Sequence, residues 1–278
     1  MEPRLRHTPR MAFDNILLVG CGNMAGAMLR GWLAAGMASE QFTVADPAAP
    51  DLPRGVRVFA AVPAEGPFDA ILLGVKPQLL SQVAPELEPL AGPGTTLFSI
   101  LAGVDLAVLG ERFPRATGLV RVMPNLSAAL GKSPMALAAC GLDEAGRDAA
   151  FDLLKPLGTP EWIGEDEFDL VTALAGSGPA FVYRFIDALA VASTGLGLPA
   201  DKARRLALAT VEGAAALAAA SPLDPGELAR RVASPGGVTQ AGLDALDEGD
   251  SLNAIVEKTL RAARNRSAEM AADARRDG

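Results

Sequence analysis

The chain has 278 residues, half of them hydrophobic and about a fifth charged, which excludes a disordered protein and suffices for one large domain or two ordinary ones. A net charge of -8 and a pI of about 4.8, with no basic stripe, argue against a grip on a phosphate backbone, so no nucleic-acid partner is expected. The two cysteines, Cys21 and Cys140, form neither a CxxC nor a ladder, so they read as reduced thiols rather than a disulfide scaffold or a zinc site.

Residues 1–13, MEPRLRHTPRMAF, are basic and read as a flexible tail, with Met11 as an alternative start. The apolar run that follows at Ile16 is too short for a signal peptide and passes straight into a glycine loop. No apolar run has the length to cross a membrane, so no membrane partner is expected and the expected location is cytoplasmic.

From Asn15 to about Gly164, β-rich runs alternate with helical stretches. The predicted strands are Asn15–Gly20, Phe42–Ala45, Val56–Phe59, Ala70–Val75, Thr95–Ile100, Gly118–Met123 and Met135–Ala139. Several are continuously apolar, as strands covered on both faces are. Met24–Ala35, Gln78–Leu90 and Glu144–Leu154 read as helices between them. The alternation predicts an α/β fold with a Rossmann-like, doubly wound and mainly parallel sheet over residues 14–164.

Residues 165–278 read as an all-α domain. Asp166–Ala175, Pro179–Leu196, Ala200–Ala220, Pro225–Val232 and Leu252–Met270 are rich in Ala, Leu, Glu and Arg, with Gly and Pro at the turns. Ala207–Ala220 is nearly all small and apolar, so burial on most sides is expected. It is either the centre of a bundle or a surface against a second copy of the chain. A helical domain of about 110 residues has limited core of its own.

NILLVGCGNMAGAMLRGWLAAG, Asn15 to Gly36, fits G-x-G-x-x-A with Gly20, Gly22 and Ala25. Gly20 allows the tight turn out of the strand, and Gly22 lets a pyrophosphate approach the backbone. Ala25 lets the helix pack on the sheet. The helix opening near Asn23 offers free N–H groups and a positive dipole end. Asp46, 20 residues beyond Gly26, stands where a carboxylate holds adenosine ribose hydroxyls. A carboxylate there favours NADH over NADPH, with Arg54 and Arg57 nearby to soften that preference and dual use left open.

The residue inventory narrows the chemistry. The only histidine is His7 and the only tyrosine is Tyr183, with Asp187 where a Tyr-x-x-x-Lys motif would have its lysine. No HExxH or clustered ligand set points to a metal. A dinucleotide enzyme with so few acid–base residues suits a substrate needing little proton help, such as a protonated imine.

Three further motifs remain. ILLGVKPQ, Ile71–Gln78, ends a strand in Lys76-Pro77, at the end of the sheet where ligands sit; Lys76 reads either as a chemical group or as a solvated loop lysine. ALAGSGPAFVYRFIDALA, Ala173–Ala190, places Gly-Ser-Gly-Pro before a long helix. ASPGGVTQAGLDAL, Ala233–Leu246, leads a Ser-Pro-Gly-Gly turn into a helix whose free N–H groups, with the hydroxyls of Ser234 and Thr239, can bind a carboxylate.

Taken together, GCGNMAGAM, GVKPQ, RVMPN, LAGSGPAFVY and SPGGVTQAGL resemble the pyrroline-5-carboxylate reductase family over nearly the whole chain. The resemblance implies reduction of 1-pyrroline-5-carboxylate to L-proline with NADH or NADPH, the last step of proline synthesis. It implies an N-terminal Rossmann domain and a C-terminal helical dimerisation domain, hence a homodimer, with decamers as a further assembly. Gly20, Gly22, Asn23, Met24 and Ala25 match its cofactor loop, and Val75, Lys76 and Pro77 its nicotinamide-side loop. Ser234, Gly237, Val238 and Thr239 match the substrate loop, supplied by the partner subunit, with the Thr239 hydroxyl near the ring nitrogen. Glu165 matches an acidic residue that reaches the substrate. Val238 stands where many members carry Thr, and NLSAALGKS, Asn125–Ser133, departs from the usual pattern, leaving the role of Asn125 open. Two rivals stand beside this reading: a reductase of another cyclic imine or a short hydroxy acid, and a non-catalytic dinucleotide sensor that binds a partner through its helical domain. The SPGG turn argues against the hydroxy acid.

Overall fold

A computed structural model describes residues 13–276. The tail expected at residues 1–13, and His7 with it, lies outside the described residues apart from Phe13. For Phe13 the tail expectation is corrected. Its side chain is buried and meets the Phe98 ring edge-on, with centroids 5.7 Å apart; an aromatic ring gains too much from burial to stay in water.

The first compact unit runs to Gly176 and takes back the chain from Ala263 onward. Its strands are β1 (Ile16–Val19), β2 (Phe42–Ala45), β3 (Arg57–Phe59), β4 (Ala70–Leu73), β5 (Thr96–Ser99), β6 (Gly118–Met123), β7 (Ser133–Cys140) and β8 (Gly158–Trp162). They form one sheet in the order β3-β2-β1-β4-β5-β6-β7-β8. All neighbours are parallel except β6 and β7, which are antiparallel. Successive β1 side chains alternate between two cores. Ile16 and Leu18 join Met28, Trp32 and Leu154 on one face, while Leu17 and Val19 join Leu80, Leu87 and Leu109 on the other. The helices α1 (Asn23–Ala34) and α4 (Glu144–Leu154) supply the first core, and α2 (Leu80–Leu87) and α3 (Leu106–Arg112) the second. This double cover is why β1, β2, β4 and β6 are buried throughout, and why β1 and β4 are apolar without alternation while β2 and β6 each carry a single polar residue, Thr43 and Arg121. The strand order reverses between β1 and β4, which opens a crevice at their carboxyl ends.

Two elements differ from the expected ones. β8, GTPEW, adds an edge strand that its polar residues and Pro160 conceal; an edge tolerates proline because one side of the strand carries no ladder. The helix expected over Asp166–Ala175 breaks into a 3-10 turn (Glu165–Glu167), a short α5 (Phe168–Val171) and a π turn (Thr172–Gly176). The Thr172 hydroxyl donates to the Phe168 carbonyl at 2.8 Å, and the Asn125 side chain donates to the Ala175 carbonyl at 2.9 Å. Both claims on backbone carbonyls loosen the regular ladder. The expected boundary at Glu165 therefore lies inside the first unit.

The second unit, Ser177–Ala262, is helical. It holds α6 (Gly178–Gly195), α7 (Ala200–Ala220), α8 (Pro225–Val232), α9 (Val238–Asp247) and the first part of α10 (Ser251–Arg276), whose remainder from Ala263 belongs to the first unit. Its core is small: Ala190, Ala203 and Ala207, with Ile186, Leu189 and Leu198 packed on them. The expectation that Ala207–Ala220 is buried on most sides fails within one chain, where Leu208 and Leu217 are exposed. Of its two causes, a bundle centre is excluded within the chain and a surface for a second copy remains.

Candidate functional site

The glycine turn is fixed by close packing on its neighbour strand. Gly20 has φ +83°, a left-handed conformation that favours glycine. A Cβ there would stand 2.9 Å from the carbonyl of Gly74 and the nitrogen of Val75. A Cβ on Gly74 would in turn meet the Gly20 oxygen at 2.7 Å and the Ala25 Cβ at 2.8 Å. Sequence GCGNMA at the end of β1 and GVKP at the end of β4 are thus two halves of one junction, with Ala25 buried between them. By contrast, a Cβ on Gly22 would meet nothing within 4 Å. Gly22 is the N-cap of α1 with no side-chain cap, so the first N–H groups of α1 face open space, as an anion site requires. Exposed Asn23 and half-buried Met24 follow on the first turn.

Asp46 ends β2 beside this turn. One carboxylate oxygen accepts the Cys21 N–H at 2.7 Å and the other the Ala48 N–H at 2.8 Å. The carboxylate therefore serves the glycine loop itself, besides any ribose. It also acts on the Cys21 thiol, which burial first and the Asp46 charge second push above the ordinary thiol value, against an opposing pull from Arg30. Beyond β4, Val75 is half-buried and Lys76 exposed. Lys76 caps a short 3-10 turn (Pro77–Leu79) through its carbonyl, which accepts the Leu79 N–H at 2.9 Å.

Glu165 is drawn into the first unit by a residue that sequence reasoning passed over. Arg121, the charged residue in the apolar strand GLVRVM, is buried and donates to Glu165 Oε1 at 2.7 Å. The Leu106 N–H reaches the same oxygen at 3.3 Å. The guanidinium carbon lies 3.7 Å from the Phe168 ring centroid, a cation–π geometry. A charge inside a buried strand needs a partner, and that was the available signal. Asn125 now has a role: its Oδ1 accepts the Ser127 N–H at 2.9 Å, its own N–H donates to Ser133 Oγ at 2.9 Å, and its amide holds Ala175. It ties the end of β6 to the π turn.

The substrate-type turn belongs to the second unit. Ser234, Gly237, Val238 and Thr239 come together at the start of α9. The Gly237 N–H donates to the Ser234 carbonyl at 2.9 Å, and Gly236 takes φ +70°. Gly237 is an N-cap with no side-chain bond, so the first N–H groups of α9 are unspent. Val238 is 93% exposed, and Ser234 and Thr239 are exposed too. Among the described residues no group of three His, Cys, Asp or Glu side chains could hold a metal, and no single helix is long and apolar enough to cross a membrane.

Residues 165–270 match the family model described as pyrroline-5-carboxylate reductase dimerisation. Residues 15–103 match the model described as NADP oxidoreductase coenzyme F420-dependent. The pyrroline-5-carboxylate reductase of Pseudomonas aeruginosa is 36% identical over 272 residues, covering 95% of this chain and 97% of that protein. A solved pyrroline-5-carboxylate reductase from Coxiella burnetii superposes with a TM-score of 0.83 at 28% identity, covering 92% of this chain and 98% of that one. The Plasmodium falciparum pyrroline carboxylate reductase, solved with NADP bound, gives a TM-score of 0.78 at 25% identity, covering 93% of this chain and 98% of that one.

Proposed function

The chain belongs to the pyrroline-5-carboxylate reductase family, and from that premise we infer that it reduces 1-pyrroline-5-carboxylate to L-proline with NADH or NADPH, as the last step of proline biosynthesis. The observation that carries the reading is the glycine junction. Gly20 and Gly74 are locked backbone to backbone, while Gly22 is left open at a helix N-terminus. That is the cradle a dinucleotide pyrophosphate needs. When bound, the cofactor supplies the hydride that reduces the imine carbon.

The chain's own part is to bind and orient. Gly22, Asn23 and Met24 bring backbone N–H groups to the phosphates, and Asp46 holds that loop in shape and faces the adenosine ribose. Val75, Lys76 and Pro77 border the nicotinamide half. The turn Ser234–Val238 takes the substrate carboxylate through backbone N–H groups and the Ser234 hydroxyl. The Thr239 hydroxyl bonds the ring nitrogen, which arrives protonated, so the step needs no histidine base. Glu165 lies at the substrate. Fixing two reactants in this way contributes several kcal/mol to the barrier reduction.

The substrate turn serves the partner's site in a homodimer, which can build further into a decamer. The exposure of Val238 and Thr239 in a single chain and the dimerisation family match support this. The free Cys21 and Cys140 fit a reducing compartment, and the proposal places the enzyme in the cytoplasm. Thr239→Ala tests the assignment: turnover falls by about tenfold or more while NADPH binding is kept. Unchanged turnover would remove Thr239 from the chemistry.

A further inference from the structure

We infer that Arg121 is a positioning residue that sets the Glu165 carboxylate for the substrate. The inference rests on the proposed role of Glu165 at that substrate.

Arg121 is fixed on three sides. It is only 4% exposed, its guanidinium lies over the Phe168 ring, and its Nη1 holds Glu165 Oε1. Arginine's planar fork transmits direction as well as charge, which the point charge of a lysine does less well. Glu165 is restrained from a second direction by the Leu106 N–H, on the same oxygen. Its other oxygen, Oε2, is buried without a hydrogen-bond partner, and so is Arg121 Nε. Buried acceptors in that condition are few in folded proteins, and a role in binding or catalysis is one of the explanations they call for. The geometry is therefore one-sided: a single oxygen anchors the carboxylate, and the other is held ready for a donor.

The location fits a role in the site rather than in the core alone. Arg121 lies near the carboxyl end of β6, the end of a parallel sheet where ligands bind. Two residues on, Met123 lies against Gly176, and Asn125 holds the carbonyl of Ala175. One strand end thus grips the segment from Glu165 to Gly176 at both ends, and that segment runs directly into Gly176-Ser177-Gly178-Pro179. A hydrophobic residue at 121 would serve a core under Phe168 equally well without stranding a charge.

The test uses full-length Arg121→Met, Arg121→Lys, Glu165→Gln and the Arg121→Met/Glu165→Gln double variant. KM and kcat are measured for pyrroline-5-carboxylate at saturating NADPH, then KM for NADPH at saturating substrate. Arg121→Met raises KM for pyrroline-5-carboxylate about tenfold or more and leaves KM for NADPH unchanged. Arg121→Lys recovers part of that loss, and the double variant is no worse than the poorer single one. A loss from Arg121→Met that persists undiminished in the Glu165→Gln background overturns the inference and leaves the Glu165 role standing. A Glu165→Gln enzyme with wild-type KM overturns both, and it decides the matter even if Arg121→Met does not fold. A wild-type protein without activity instead removes the functional reading itself.

Discussion

Replacing Gly22 by alanine separates what the glycine turn does for the fold from what it does for the cofactor. The added Cβ meets nothing within 4 Å, and the backbone is extended at φ -69°, ψ -163°, so alanine introduces no strain. As an N-cap, alanine is poorer than glycine by several tenths of a kcal/mol, and restricting the unfolded chain returns about 0.4–1 kcal/mol. Net stability therefore stays within about 1 kcal/mol, or about 4 °C in Tm. Cofactor binding responds differently. A methyl group between the N–H groups and the pyrophosphate removes at least one charge-assisted bond, about 1.5–3 kcal/mol, so Kd for NADPH rises about 10- to 100-fold. Gly20→Ala is the contrast. It costs about 1–2 kcal/mol for the left-handed backbone and about 1–3 kcal/mol for overpacking on Gly74, lowering Tm by about 4–20 °C. Thermal unfolding and NADPH fluorescence titration read both quantities. A Gly22→Ala protein that binds NADPH as the wild type does would refute a pyrophosphate at this turn.

Asn125→Ala removes the amide that holds the buried Ala175 carbonyl; leaving that acceptor unpaired costs about 1–3 kcal/mol, or about 2–12 °C in Tm, and an unchanged Tm in thermal unfolding contradicts the clamp. The raised Cys21 thiol stays protonated at neutral pH, because burial and the Asp46 charge both disfavour the thiolate. Its alkylation by iodoacetamide, followed by mass spectrometry, should be slower than that of a free cysteine at pH 7. It should climb only above the ordinary thiol range near about 8.5; a rate at pH 7 equal to that of the free amino acid refutes the assignment.

Much of the first unit is legible in the sequence because its strands are buried on both faces. ILLV and AILL are unbroken apolar runs for that reason, and FTVA departs from one only at Thr43. Legibility fails where polar residues or proline sit in strands. Pro134 is the second residue of β7, before the stretch paired with β6, where no ladder bond to β6 is lost, and reads as a breaker. Pro160 hides β8 in the same way. The strand–turn–helix that carries Gly20, Gly22 and Ala25 is legible from local spacing, because a glycine turn out of a strand and a small residue under the helix are local demands. The partnership of Gly20 with Gly74 is not, because it depends on which strands become neighbours. Arg121 and Glu165 are 44 residues apart, and no local pattern links them; only the packing of α5 on β6 brings them together. The small core of the second unit agrees with the limited core expected of a helical domain of that length, but which residues form it is not legible in a composition that simply reads apolar.

Purified protein incubated with 1-pyrroline-5-carboxylate and either NADH or NADPH tests the central claim most directly, with cofactor oxidation and L-proline followed together. Cofactor is expected to be consumed mole for mole with the proline formed. A protein that binds NADPH yet oxidises none in the presence of this substrate contradicts the account.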